Sequence, residues 1–216
     1  MFASGYAELY DLFNSDKPYK KEINFVYRWA SKPRTVFDIG PGTGDYWKYY
    51  PAKTILFGVE KSRAMADKSC ANGEIICQDI RNFTMDSRFD CATALFDVIN
   101  YIPTHKWWKN IPVKKDGFFV FDIWNTKKIE RDGFRDTFKK AGFLSRKISP
   151  VGQSEKHVDL RIDIVDFAAR KKLVSEIHRM YLHTHDDILE FCGKNFEVVE
   201  VVSTTSWQTW YKCLRK

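Results

Sequence analysis

The sequence predicts an α/β fold, a doubly wound and mainly parallel sheet with an antiparallel β cap inserted after its fifth strand. Three observations carry this. Residues 35–44 run from apolar Val36 and Phe37 through Asp38 to glycines at 40, 42 and 44, the pattern of a buried strand that ends in a tight turn. Comparable apolar runs recur at 56–60, 74–80, 88–96 and 118–122 with helix or turn signals between them, as a parallel sheet requires. Past residue 125 the period changes, and Val158, Leu160, Ile162 and Ile164 alternate strictly, which describes antiparallel sheet with one apolar face.

In chain order, residues 3–30 fit two helices broken around 14–18, with Tyr6, Tyr10, Phe13, Tyr19, Ile23 and Val26 at core spacing. The first strand then delivers Asp38 and the glycine turn. Glycines are wanted there because the backbone comes close to a ligand and needs φ above zero. Position 45 is Asp, not the glycine that completes the dinucleotide fingerprint Gly-x-Gly-x-x-Gly, which argues against NAD and FAD. A short aromatic helix with Tyr46, Trp47, Tyr49 and Tyr50 precedes Pro51.

The second strand ends in Glu60 and the third in Asp79. In an open parallel sheet these tips share one crevice, so Glu60 can take both hydroxyls of a ribose. Asp79 can accept from the exocyclic amine of adenine, with Ile80 and Met65 as apolar faces for the ring. Together with the glycine turn they describe an adenosine-type pocket without a phosphate-binding Lys-Ser/Thr. The fourth strand, 88–96, ends at Leu95 and Phe96 and continues as Asp97, Val98, Ile99, Asn100 and Tyr101 at the switch point where ligands sit. The fifth, 118–122, is announced by an Asp116-Gly117 turn and followed by Trp124. Residues 131–142 read as helix or loop, and 143–149, 157–167 and 173–182 as antiparallel strands. Thr184 caps a helix closed by Gly193, and 196–203 with 206–214 form a last hairpin.

On these residues the sequence resembles class I S-adenosylmethionine-dependent methyltransferases over nearly its whole length. Residues 36–44 resemble the family's first motif, 58–62 with Met65 its second, and 78–83 its third. The resemblance implies the class I methyltransferase fold, a seven-stranded sheet completed by the last helix and hairpin. It also implies S-adenosylmethionine as cofactor, held by Asp38, Gly40, Gly42, Gly44, Glu60, Met65, Asp79, Ile80, Leu95 and Phe96. Residues 6–13 and 17–22 resemble the N-terminal lid of small-molecule methyltransferases related to the sugar-amine N-methyltransferases, so Tyr19 is expected to reach the cofactor carboxylate and Tyr10 to lie near the acceptor. Two positions depart from that group: Pro18 stands where Asp is usual, and Asp97 where His or Ser is common. Asp97 either anchors a cationic acceptor or is a solvated turn residue. Residues 176–181 resemble a cap strand of relatives on which Glu176, His178 and Met180 share a face. If that face looks into the cleft, His178 can touch the acceptor.

The expected organisation is a core of residues 1–125 and 184–216 with a lid at 1–30, and a cap at 126–183. Tyr10, Asp97 and His178 are the expected catalytic groups, and Tyr101 and Trp124 the expected acceptor contacts. Methyl transfer from a sulfonium is an in-line displacement that depends on positioning and requires no metal. The expected acceptor is a small polar molecule with an amine, such as an amino sugar.

Composition bounds the alternatives. A chain of 216 residues, 44% hydrophobic and 16% aromatic, can bury a substantial core. No apolar run approaches the roughly 20 residues of a membrane span and the N-terminus lacks a signal pattern, so no membrane partner and a cytoplasmic location are expected. Cys70, Cys77, Cys91, Cys192 and Cys213 are scattered without a Cys-x-x-Cys pair, which suggests neither zinc site nor disulfide framework. The net charge of +7 comes from dispersed basic pairs, more simply a solvated surface than a nucleic-acid face. The fourth strand tip also lacks the Asp/Asn-Pro-Pro-aromatic sequence that grips a base amine. A nucleic-acid methyltransferase or binding module is therefore the alternative, and a homodimer is left open.

Overall fold

The structure is a computed structural model that describes residues 4–69, 73–103, 106–203 and 207–216. Cys70 and His105 lie outside the described residues. Helices α1 (Ser4–Asn14) and α2 (Tyr19–Trp29) come first, with the break where the sequence places it. The main sheet holds β1 (Thr35–Ile39), β2 (Ile55–Glu60), β3 (Glu74–Cys77), β4 (Phe89–Ala94), β5 (Val113–Trp124), β10 (Phe196–Ser203) and β11 (Gln208–Arg215) in the order β10-β11-β5-β4-β1-β2-β3. Strands β1 to β5 are parallel, while β11 runs antiparallel to β5 with Tyr211 beside Phe121. The order reverses between β1 and β4, which opens the crevice at their C-terminal ends.

Because strands buried on both faces need apolar residues at every position, β1 alternates between two cores. Val36 joins Leu56, Cys91 and Val120 under Ile23 and Val26 of α2 and the aromatic turn at Asp45–Tyr49. Phe37 joins Val59, Ala92, Phe119 and Phe121 on the other face, covered by Trp108 and by Ile188 of α5 (His185–Cys192). Trp108 meets Phe119 and Phe121 edge-on at 5.2 Å each, the geometry that aligns a positive ring edge with a negative face. Helix α5 starts on a reciprocal capping box between Thr184 and Asp187. Cys192 and Cys213, far apart in sequence, meet as buried free thiols with Sγ atoms 3.7 Å apart.

Three local expectations need correction. The segment after Gly44 is a 3-10 turn rather than a helix proper, cut short before Pro51. Asp116 and Gly117 form an excursion inside β5, not a turn before it: Phe89 pairs with Val113 and Cys91 with Phe118, so four residues are looped out opposite one. Gly117 is required there, since a Cβ would lie 2.6 Å from the Asp90 carbonyl oxygen. The stretch 131–142 contains a strand, β6 (Thr137–Ala141), after α4 (Thr126–Asp132).

With β7 (Leu144–Gln153), β8 (His157–Asp166) and β9 (Lys171–Tyr181), β6 makes a separate antiparallel sheet in the order β6-β7-β8-β9. One face of it presents Ile162, Ile164 and Val174, against which Tyr6 and Phe13 of α1 pack. The lid helix is thus fastened to the cap, and Thr43 Oγ1 ties it to the glycine turn by donating to Asp11 Oδ1 at 2.6 Å.

Candidate active site

A cavity of about 630 Å³ opens at the C-terminal ends of β1, β2 and β4, between the main sheet and the cap. At one end, Gly40 (φ 68°) and Gly42 (φ 60°) turn the chain away from β1 in the left-handed region that glycine alone adopts without strain. A Cβ on Gly40 would lie 2.9 Å from Val98, and one on Gly42 3.4 Å from Met65. Buried Glu60 accepts from the Gly42 N–H at 3.0 Å and the Ser62 N–H at 2.7 Å, and burial pushes its carboxyl up from the ordinary range. Ser62 caps the one-turn helix α3 (Arg63–Ala66), which carries Met65 to the cavity wall beside Ile80 and Leu95.

Tyr19 also lines this end. Its hydroxyl is buried without a hydrogen-bond partner among the described residues, and burial raises its pKa. Asp79 reaches the cavity with its carboxylate already engaged: Arg81 binds it through Nε and Nη2, and Lys61 lies 3.0 Å away. The Arg81 guanidinium holds it well below the usual carboxylate range.

Two expected cofactor residues do not line the cavity. Asp38 is buried beneath the glycine turn, accepting from Trp47 Nε1 at 2.6 Å and Thr93 Oγ1 at 2.7 Å. Burial outweighs those two bonds and lifts its pKa to about 6. Gly44 instead leads into the aromatic turn with φ 79°. Both residues shape the turn from behind.

At the other end, Phe96 (φ 66°) and Asp97 (φ 64°) are consecutive non-glycine residues in the left-handed region, as are exposed Ser31 and Lys32 outside the cavity, and such a conformation persists only where its surroundings hold it. Buried Asp122, near the C-terminal end of β5, holds the Phe96–Asp97 pair, accepting from the Phe96 N–H at 2.7 Å and the Asp97 N–H at 3.0 Å. Asp97 lines the cavity, and its Oδ1 has no partner among the described residues. Burial first, and then the neighbouring Asp122, push its carboxyl well above the usual range, with the Lys17 ammonium opposing. Lys17 is itself sequestered, 3.5 Å above the Phe96 ring centre and 3.2 Å from Glu22.

The cap contributes His178, 2% exposed, whose Nδ1 lies 3.0 Å from the Tyr101 hydroxyl and whose Nε2 lies 3.0 Å from Glu176 Oε2. Burial lowers its pKa. His178 therefore reaches the cavity with both ring nitrogens engaged, and Tyr101 stands in front of it. Tyr10 and Trp124 line the same end.

Sequence reasoning missed the groups that hold this end together. Asn100 is fully buried, donating to the Tyr181 carbonyl at 2.6 Å and accepting from the Trp124 N–H at 3.0 Å, so it joins β4, β5 and the cap. No period or motif distinguishes it. His183 does similar work, its Nε2–H shared between the carbonyls of Ile99 and Ile102 at 3.2 and 3.1 Å. Asp122 did carry a signal: the apolar run 118–121, like those before Asp38 and Glu60, delivers an acid.

No protein-family model matches the chain, and no curated protein matches it in sequence. Solved structures do match its fold. An S-adenosylmethionine-dependent methyltransferase from Clostridium acetobutylicum is 20% identical with a TM-score of 0.80, covering 97% of each chain. DesVI from Streptomyces venezuelae is 16% identical with a TM-score of 0.79 over 98% of each chain. CalS10, an amino pentose methyltransferase from Micromonospora echinaspora, is 16% identical with a TM-score of 0.77, covering 100% of this chain and 98% of its own. The chain thus has the class I methyltransferase fold, antiparallel cap included.

Proposed function

We propose that this chain transfers a methyl group from S-adenosylmethionine to an amine on a small polar molecule. The observation that carries the proposal is that one cavity joins the glycine–Glu60 end to the Asp97–Tyr101 end, with a buried polar atom at each, Tyr19 Oη and Asp97 Oδ1, that makes no hydrogen bond among the described residues. Buried polar groups are ordinarily hydrogen-bonded, so both atoms await ligand groups. The residues fit the cofactor: Glu60 would hold the ribose hydroxyls, Ile80 and Met65 would flank the adenine, and Tyr19 would meet the amino-acid carboxylate. S-adenosylmethionine, when bound, supplies an electrophilic methyl on a sulfonium.

The chain's own task is to present an uncharged amine. Asp97 draws in the ammonium form. Tyr101 then accepts the amine proton as its own hydroxyl proton passes to His178 Nδ1, and Glu176 steadies the imidazolium through the Nε2–H bond. This route needs His178 neutral beforehand, the state that its lowered pKa favours at neutral pH. CalS10 and KedS8, a sugar N-methyltransferase with the same fold, support an amino-sugar acceptor by analogy. On this reading residues 126–183 are the acceptor-side cap on a core of 1–125 and 184–216.

The nucleic-acid alternative is not favoured, because none of the basic pairs Lys20-Lys21, Lys114-Lys115, Lys127-Lys128 and Lys139-Lys140 lines the cavity. Among the described residues no helix is long and apolar enough to cross a membrane. Calorimetry with S-adenosylhomocysteine, followed by a screen of amino sugars for methyl uptake, tests the proposal. Micromolar binding and transfer to an amine are expected, and failure to bind would overturn it.

A further inference from the structure

The acceptor end of the cavity is walled by Ile148, Leu160, Ile162 and Met180 of the cap, and it holds a second ionisable group besides Asp97. Among the described residues, four cations line the cavity. Lys61 and Arg81 are paired with Asp79, and Arg179 with Asp159. Arg146 of β7 is different. Among the described residues it has no carboxylate within ion-pair distance, and only its Nη1 is bonded, to Tyr6 Oη and Asn14 Oδ1 at 3.2 Å each. Both partners are neutral. Asp16, whose carboxyl feels the Arg146 charge, is exposed and held by Lys139.

The arginine is nonetheless firmly placed. Its guanidinium lies 5.4 Å from the centre of the buried Phe13 ring. Asn14 is buried and anchored by its own bond to the Tyr10 carbonyl at 2.9 Å. Tyr6 packs edge-on against both Tyr10 and His178, at 5.8 and 5.9 Å, so Arg146 belongs to the Tyr10–His178 end and not to the adenosine end. A guanidinium stays charged at any physiological pH, and half-buried Arg146 meets only neutral partners at Nη1. Its free edge, Nε and Nη2, has the fork geometry that binds a carboxylate or phosphate through two parallel hydrogen bonds.

We infer that Arg146 is the seat of an anionic group, carboxylate or phosphate, on the same acceptor whose amine Asp97 receives. The acceptor is then amphoteric, with its cationic and anionic ends read from opposite sides of an apolar room. This inference rests on the proposed methyl transfer, which assigns the amine to Asp97.

The experiment measures binding of propylamine, β-alanine and phosphoethanolamine to the protein saturated with S-adenosylhomocysteine, for the wild type, Arg146→Gln and Arg146→Lys. At least one acid-bearing amine should bind about tenfold tighter than propylamine, the scale of a charge-assisted hydrogen-bond pair. β-Alanine against phosphoethanolamine then tells carboxylate from phosphate. The advantage should fall to near unity in Arg146→Gln and survive in part in Arg146→Lys, which keeps the charge but not the fork. Affinity for S-adenosylhomocysteine, measured first on every variant, reports an intact fold. Equal binding of the three amines to the wild type, or none detectable, overturns the inference, as does an advantage that persists in Arg146→Gln. If S-adenosylhomocysteine itself does not bind, the methyltransferase reading falls. The ratio of the three amines on the protein alone then decides the role of Arg146.

Discussion

A carboxyl that loses its water on folding becomes harder to ionise, and Asp38 is held in that state between Trp47 and Thr93, its pKa raised from 3.8 to about 6. Between those values the native state binds more protons than the unfolded chain, so stability falls as pH rises. The contribution is fully present below about 3.8 and gone above about 6, on the order of 3 kcal/mol in all. Asp38→Asn should flatten that slope in urea unfolding series from pH 4 to 7; an unchanged slope would assign it to another group. Glu60 is read differently, because it lines the cavity. Glu60→Ala should weaken S-adenosylhomocysteine binding by at least about tenfold, since each charge-assisted bond to a ribose hydroxyl contributes about 1.5–3 kcal/mol. The same change unpairs the Gly42 and Ser62 amides and should cost about 1–3 kcal/mol of stability. Titration calorimetry and unfolding separate the two effects. Both acids end apolar runs and look alike in sequence; what divides them is that Asp38 lies one residue before its strand ends, under the turn, while Glu60 is the tip of β2.

At the scale of elements, the sequence was most readable where one period holds along a whole segment. The strands β1, β2 and β4 and the alternating β8 follow from their apolar patterns. So does the capped helix α5, from Thr184 and Gly193. Illegible were the segments whose form depends on a distant partner. β6 is an exposed edge strand with Phe138 and two lysines and no alternation of its own, ordered by pairing with β7. The excursion at Asp116-Gly117 exists because β4 lies alongside, which a local turn rule does not see. Asn100 belongs to the same class, since its role is to tie three elements that only the fold brings together. Asn100→Ala should leave the Tyr181 carbonyl and the Trp124 amide unpaired and cost about 2–3 kcal/mol. Because it also frees the β4 tip from the cap, turnover should fall more than cofactor affinity. Equal losses in both would mean that Asn100 supports the whole fold and not the acceptor end.

Over the whole molecule, most of the net charge of +7 is spread on solvated surface, while the acidic groups that matter for the proposed chemistry are few and drawn inward. Asp97, Asp122, Glu22 and Lys17 gather where the lid meets the tips of β4 and β5. Burial and Asp122 both oppose ionisation of Asp97, which shifts its carboxyl toward the protonated form, while Lys17 opposes the shift. An ammonium entering the cavity supplies the opposite charge that makes its carboxylate favourable. Binding of a cationic amine should therefore release a proton from Asp97 and weaken as pH falls, since low pH favours the protonated carboxyl that does not attract the cation. Calorimetry of an accepted amine in buffers of differing ionisation enthalpy reads that release directly. Asp97→Asn keeps the shape of the tip but holds no titrating proton. It should abolish the release and the pH dependence, lose the preference for cationic over neutral acceptors, and bind S-adenosylhomocysteine as before. Turnover should drop by about 10² to 10⁴ without vanishing, because a displacement held together by positioning survives the loss of one group. A wild-type enzyme that binds the amine with no proton released would leave Asp97 as a structural acid of the strained turn, and place the selection of the acceptor elsewhere in the cavity.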